Sequence, residues 1–227
     1  LVGAYASHFV HLQGFHLLGN LTVYVPVVGV AYLLCILSGR RQLFRIGFVT
    51  LLVAFPIALS SMQIIFPRPR LIFGFSGINA GFAGMACFVY TGYLQKNITP
   101  RADERYAPTV LFVAMGLIAL LALPAEAFRL EIGAASLALA AIYVGVALYR
   151  QGIPSTDDIR EAVDRPGYFE TAGAGLGLIV GYPFVAFQDA VVPESGVVDV
   201  YVHLLGASLA FIVLFAYVFV IRSEEGS

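Results

Sequence analysis

Seven stretches of roughly 20 mostly apolar residues, divided by short breaks that hold most of the charge, constrain this chain more than any other feature of its sequence. They lie near 15–37, 43–65, 74–94, 108–123, 131–149, 171–188 and 199–221. A bilayer core supplies no water to backbone N–H and C=O groups, so a spanning segment must satisfy them internally, as a helix does. The expected fold is therefore all-α: a polytopic membrane helical bundle of about seven transmembrane helices, forming one domain over 1–227. The composition agrees. Only 12% of residues are charged, against roughly 25% in a soluble domain, and the mean hydropathy is +0.87. The partner this implies is the lipid bilayer. A net charge of −1 provides no basic surface for nucleic acid. Cys35 and Cys87 lie inside apolar runs and read as small core residues.

The cations set the orientation. Arg40, Arg41, Arg45, Lys96, Arg101, Arg105, Arg150, Arg160, Arg165 and Arg222 fall on one side of a seven-span path, and only Arg68, Arg70 and Arg129 on the other. Lys and Arg in short loops stay cytoplasmic, so the first span is expected to run from outside to inside. No signal peptide is visible, so an earlier helix upstream of residue 1 is expected.

With that topology, every histidine lies toward the outer side: His8, His11 and His16 near the start of the first span, and His203 near the start of the last. Ser76 and Asn20 share that depth. Polar groups inside a membrane are costly and by default face a bundle interior or a wet cavity. The helix face that holds Ser76 continues through Ala80, Ala83, Gly84 and Cys87, and the face that holds His203 through Gly206, Ala207 and Ala210. Small faces let backbones approach closely in lipid. The two spans are therefore expected to cross closely enough for a serine hydroxyl to reach an imidazole, at roughly 3 Å. His16 and Asn20, four apart, share a face and offer donors suited to the oxyanion of acyl transfer. The soluble nucleophile elbow is absent, since Gly77 and Ile78 follow Ser76 and no strand precedes it. Histidines 8, 11, 16 and 203 also invite a metal-site reading. No carboxylate or thiolate joins them, so no metal and no cofactor is expected.

Three fragments, in order, resemble the rhomboid intramembrane serine proteases: "HLLGN" from His16 to Asn20, with His11 before it; "GFSG" from Gly74 to Gly77; and "HLLG" from His203 to Gly206. The resemblance covers about 1–95 and 171–221. It implies that Ser76 is the nucleophile and His203 the general base, with His16, Asn20 and the Ser76 N–H holding the oxyanion. It also implies that Gly74 and Gly77 permit the loop-to-helix bend, with Gly206 and His11 in support. The substrates would be transmembrane segments of other membrane proteins, cut near the outer face of the cell membrane. The chain departs from the family in several ways, among them Ala210 where a second glycine often stands four after the glycine of the histidine motif. An aromatic residue commonly stands four after the serine and packs on the histidine, whereas here that position is Ala80; Tyr201, Asn79 or a water would have to orient His203 instead. The family's first core helix is missing. Three spans rather than one separate serine from histidine, which implies an inserted helical hairpin at about 108–149; the span just before His203 is taken as the family's gate helix.

Two other readings compete. A catalytically inactive relative would bind membrane clients, and a small transporter would use the outer polar pocket as its binding site. Transporters often carry internal repeats and paired helix breaks, and neither is visible here. Substrate identity and oligomeric state are not encoded in any recognisable motif.

Overall fold

The computed structural model describes residues 2–11, 13–65, 74–123, 128–187 and 200–225. Within these the chain is helical throughout: α1 (Val2–Ser7), α2 (Gly14–Leu37), α3 (Arg41–Val53), α4 (Phe55–Ile65), α5 (Ser76–Asn97), α6 (Pro108–Ala122), α7 (Arg129–Gln151), α8 (Thr156–Asp164), α9 (Tyr168–Ala186) and α10 (Val200–Glu225), with a one-turn 3-10 helix at Glu104–Tyr106. The connections 66–73, 124–127 and 188–199 lie outside the described residues, and with them Arg68 and Arg70.

Among the described residues, five helices are long and apolar enough to cross a membrane: α2, α6 with the 3-10 turn before it, α7, α9 and α10. The pair α3 and α4 passes the same test together, bent by 46° at Ala54 just before Pro56, which would make it a sixth. Proline supplies no N–H to the preceding turn, and that accounts for the break. The protein is thus a multi-pass integral membrane bundle. The third apolar stretch corresponds to α5, which is not among those helices, and its surroundings explain why. Its 22 residues are rich in Gly, Ala and polar groups, and it is buried from Gly77 to Tyr93 by the helices around it. A helix wrapped in protein needs small contact residues more than lipid-soluble ones.

α5 is the hub. α10, α2 and α9 pack directly on it, with α6, α3 and α4 contributing smaller contacts. α9 also lies along α2, where Gly175 leaves room for Tyr90 of α5 and Leu34 of α2. The α6–α7 pair forms a hairpin in which Gly116 faces Leu137 and Gly133 faces Leu120. Of the α7 side chains only Gly133 and Ala140 are buried, so this helix presents most of its apolar surface outward.

At the end of the bundle remote from Ser76, loops are stitched by polar contacts. Glu104 is fully buried and pairs with Arg40, both standing over Gly92, where a Cβ would strike the Glu104 carboxylate. Tyr93 donates its hydroxyl to the Tyr168 carbonyl at 2.7 Å, and Arg165 donates to the Asn97 carbonyl at 2.7 Å. The segment 150–170 folds α8. Ser155 and Asp158 form a reciprocal capping box there, and Thr99 donates to the Asp158 carboxylate at 3.0 Å, docking α8 on the opposite loop.

Candidate functional site

The site is built where α5 begins. Gly74 has φ of +106°, a region that side-chain-bearing residues rarely adopt, and its N–H donates to the Ser7 carbonyl at 3.0 Å. A Cβ there would also lie 2.9 Å from the His16 ring, so the bend and the close approach both require glycine. Phe75 caps α5 and is clamped between Phe9 (5.6 Å between ring centroids) and Tyr24 (5.3 Å). Ser76 follows as the first residue of the helix, half-buried. The N–H groups of a first turn have no intrahelical partner and carry the positive end of the helix dipole. Gly77, expected to serve the bend, lies inside α5 and serves the crossing instead: a Cβ there would meet Val202 at 2.8 Å and Leu59 at 3.1 Å.

α5 and α10 run parallel and cross through their small faces. Gly206 sits on the Gly77 carbonyl, where an added Cβ would lie 2.5 Å from that oxygen and 3.5 Å from the Ala80 Cβ. Gly84 sits against the backbone of Ala207, and one turn further along Phe88 meets Phe211 and Phe215 edge-on at 5.8 and 6.1 Å. This register runs Gly77, Ala80, Gly84 and Phe88 alongside Val202, Gly206, Ala207 and Phe211, so Ser76 and His203 stand at the same level at the start of the contact. His203 is buried. The expected crossing of two small-faced helices is therefore present. It also gives the physical reason for Ala80: the position lies under Gly206, and a ring there would force the helices apart.

The ring on His203 comes from elsewhere. Phe187, at the C-terminal end of α9, packs on the His203 imidazole with centroids 5.2 Å apart and planes tilted by 60°. Asn79, named as one partner for His203, is committed to α2: its Nδ2 donates to the Asn20 carbonyl at 3.0 Å and to Asn20 Oδ1 at 3.3 Å. That contact is a helix-to-helix hydrogen bond of the kind expected for a buried amide in a membrane bundle.

His11, His16 and Asn20 are drawn together beside Gly74. The His11 and His16 rings meet edge-on at 5.2 Å. Asn20 Nδ2 lies 3.1 Å from His11 Nε2 and 3.1 Å from the His16 carbonyl, while Phe75 N–H points at the same His11 nitrogen from 3.4 Å. Since Asn20 Oδ1 accepts from Asn79, its Nδ2 faces His11, and two donors converge on Nε2. His11 is thereby assigned as a neutral ring with its proton on Nδ1. Both Asn20 amide protons are engaged, so donation to a new oxyanion requires Asn20 to release one of these partners. His16 itself is exposed.

A second serine–histidine pair differs in kind. His8 is buried, and its Nε2 lies 3.0 Å from Ser60 Oγ, but that hydroxyl donates to the Ala4 carbonyl at 2.9 Å. His8 must then donate to Ser60 rather than take its proton. The pair pins the N-terminal segment to α4, and Tyr5, whose hydroxyl donates to the Leu52 carbonyl at 3.0 Å, pins it to the end of α3. His8 therefore points away from His11 and His16. Among the described residues, no group of three His, Cys, Asp or Glu side chains is arranged to hold a metal ion.

Sequence reasoning missed Phe9, Phe75 and Phe187. Each is one aromatic among many in an apolar chain, and its partner is fixed only by the fold. The chain matches no family model, no curated protein and no solved structure.

Proposed function

We propose that this protein is a rhomboid-like intramembrane serine endopeptidase, in which Ser76 attacks a peptide carbonyl of a substrate's transmembrane segment. The observation that carries the reading is the convergence at one end of the bundle. The close α5–α10 crossing sets Ser76 level with His203, and Gly74, immediately before the serine, is packed on His16 beside Asn20. In this mechanism His203 takes the Ser76 proton as the C–O bond forms, then passes it to the departing amine as the C–N bond breaks. Water next attacks the acyl-serine as His203 takes its proton, and His203 returns that proton to Ser76 Oγ as the acyl C–O bond breaks and the carboxylic acid product leaves. The oxyanion is held by the first-turn N–H of α5, by Asn20 and by His16. Asn20 exchanges its bond to His11 for one to the oxyanion.

The same reading takes α2, α3 with α4, α5, α6, α7, α9 and α10 as seven spans, with the Ser76 end facing the outside of the plasma membrane. It takes α6–α7 as the inserted hairpin and α9 as the gate. Packing of α9 along both α2 and α5, with α7 at the periphery, supports those assignments. An inactive client-binding relative is the second reading, favoured by the engagement of both Asn20 amide protons in the resting arrangement. The test is labelling of the membrane-embedded protein with a serine-directed fluorophosphonate, alongside cleavage of a reporter transmembrane substrate. Ser76→Ala is expected to abolish both, and His203→Ala to reduce both to background. Label and cleavage that persist in the two variants would refute the protease reading. A native chain that binds the reporter segment yet never labels would establish the inactive one.

A further inference from the structure

The His203 imidazole has to present one nitrogen to Ser76, and a ring attached through two rotatable bonds does not hold that aim unaided. The α5–α10 crossing cannot supply a large neighbour, because Gly77, Ala80 and Gly84 on one side and Gly206 and Ala207 on the other are small by necessity. Phe187, itself buried, meets the imidazole in tilted ring contact at 5.2 Å. It comes from a different helix, α9, whose last turn is positioned by Ile179, Tyr182 and Pro183, all buried against the bundle. We infer that Phe187 is a positioning residue for the general base: its ring restrains the plane of His203 and so helps set the geometry of proton transfer from Ser76. This rests on the protease reading above. It couples α9 to the chemistry, since any displacement of the α9 end moves the wall against which the imidazole rests.

An aromatic pair has an angular preference that an aliphatic contact lacks. That difference separates orienting the ring from merely filling space. Phe187→Leu keeps an apolar side chain of similar bulk, and Phe187→Tyr keeps the ring. The experiment compares both with the native chain in fluorophosphonate labelling rate, in kcat and KM for the reporter substrate, and in the His203 ring signals of protein labelled with 15N-histidine, assigned by loss in His203→Gln. Phe187→Leu is expected to lower the labelling rate and kcat by roughly 10- to 100-fold, the range that a misplaced catalytic group costs, with KM little changed and the His203 signals shifted by loss of the ring current. Phe187→Tyr is expected to keep rate and signals near native. Native-like labelling in Phe187→Leu would overturn the inference, and so would His203 signals that ignore the substitution. If the native chain fails to label while the ring-current shift is present, the protease reading fails and the positioning role goes with it, whereas the contact itself stands.

Discussion

Gly206→Ala gives the sharpest test of how the fold serves the site. The added methyl would lie 2.5 Å from the Gly77 carbonyl oxygen, a backbone atom in the first turn of the hub helix that cannot rotate away. A carbon and a carbonyl oxygen rest no closer than about 3.3 Å, so α5 and α10 have to part by roughly 0.8 Å at this point. Ser76 and His203 lie within about one turn of it. On the proposed mechanism His203 must take the Ser76 proton across a hydrogen bond of about 2.6–3.2 Å, so a displacement of that size works against the transfer, and a 1 Å misplacement costs about 100-fold. Fluorophosphonate labelling of Ser76 should fall by about that factor. Two opposed effects act on stability: alanine gains ~0.5–1 kcal/mol of helix propensity over glycine, and overpacking costs ~1–3 kcal/mol. The net expectation is a loss of about 1–2 kcal/mol, read as thermal unfolding in detergent. Gly177→Ala, on an exposed face of α9 with nothing within 4 Å of the new methyl, is the control. It should be slightly stabilised and label normally. Native labelling and native stability in Gly206→Ala would show that the two helices do not meet as described.

Three further outcomes follow from the same contacts. Asn79→Leu removes the donor to both Asn20 oxygens and leaves a buried amide and carbonyl short of a partner. That should lower stability by about 1–3 kcal/mol and slow Ser76 labelling through Asn20; unchanged labelling would detach Asn20 from the oxyanion role. Glu104→Gln removes the buried carboxylate charge that pairs with Arg40 over Gly92 in the remote polar cluster. Breaking such a pair typically costs ~3–5 kcal/mol, discounted here to about 2–3 because Arg40 reaches water, and a denaturant or thermal series in detergent would measure it. Asp158 has its carboxyl held below the usual carboxylate range, first by its hydrogen bonding with Ser155 and then by the Thr99 hydroxyl. Its contribution is therefore complete above the unfolded value of about 3.9 and is lost as pH falls below it. Hydrogen-exchange protection of α8 should drop in that acid window in the native chain and be flat across it in Asp158→Asn.

What could be read from sequence divides along a physical line. Residues whose role follows from helical spacing were legible: the small faces through Ser76 and through His203 do meet, at Gly77, Ala80 and Gly84 against Gly206 and Ala207. Spacing within one helix is fixed by its geometry, so a stripe of glycine and alanine announces a close neighbour before the neighbour is known. The bend at Gly74 was expected only through the family resemblance, which assigned it to Gly77 as well, and the positive φ falls at Gly74 alone of the two. α5 lay at the edge of legibility, because its interior position strips it of the lipid-facing residues by which spans are recognised. Contacts between residues far apart in the chain were not legible. Nothing near Phe187 tells of His203, and the choice of Asn79 between Asn20 and His203 depends on which face of α5 turns toward α2.

The two halves of the site are held by opposite kinds of contact, and this bears on how such a site could work. Ser76 and His203 are brought level by close packing of residues with almost no side chain, an arrangement that tolerates no added atom and gives the two little room to shift. Asn20, His11 and Asn79 are held by hydrogen bonds at 3.0–3.3 Å, which exchange partners without moving a helix. The rigid half suits a nucleophile and base that must meet at one distance. The exchangeable half suits donors that are needed only when charge appears on a carbonyl oxygen and that must be satisfied by the protein until then. A membrane interior makes this division stricter, because an amide left without a partner there has no water to turn to. His11 fills that place at rest, and the Asn20–His11 bond is the one the proposed reaction has to break.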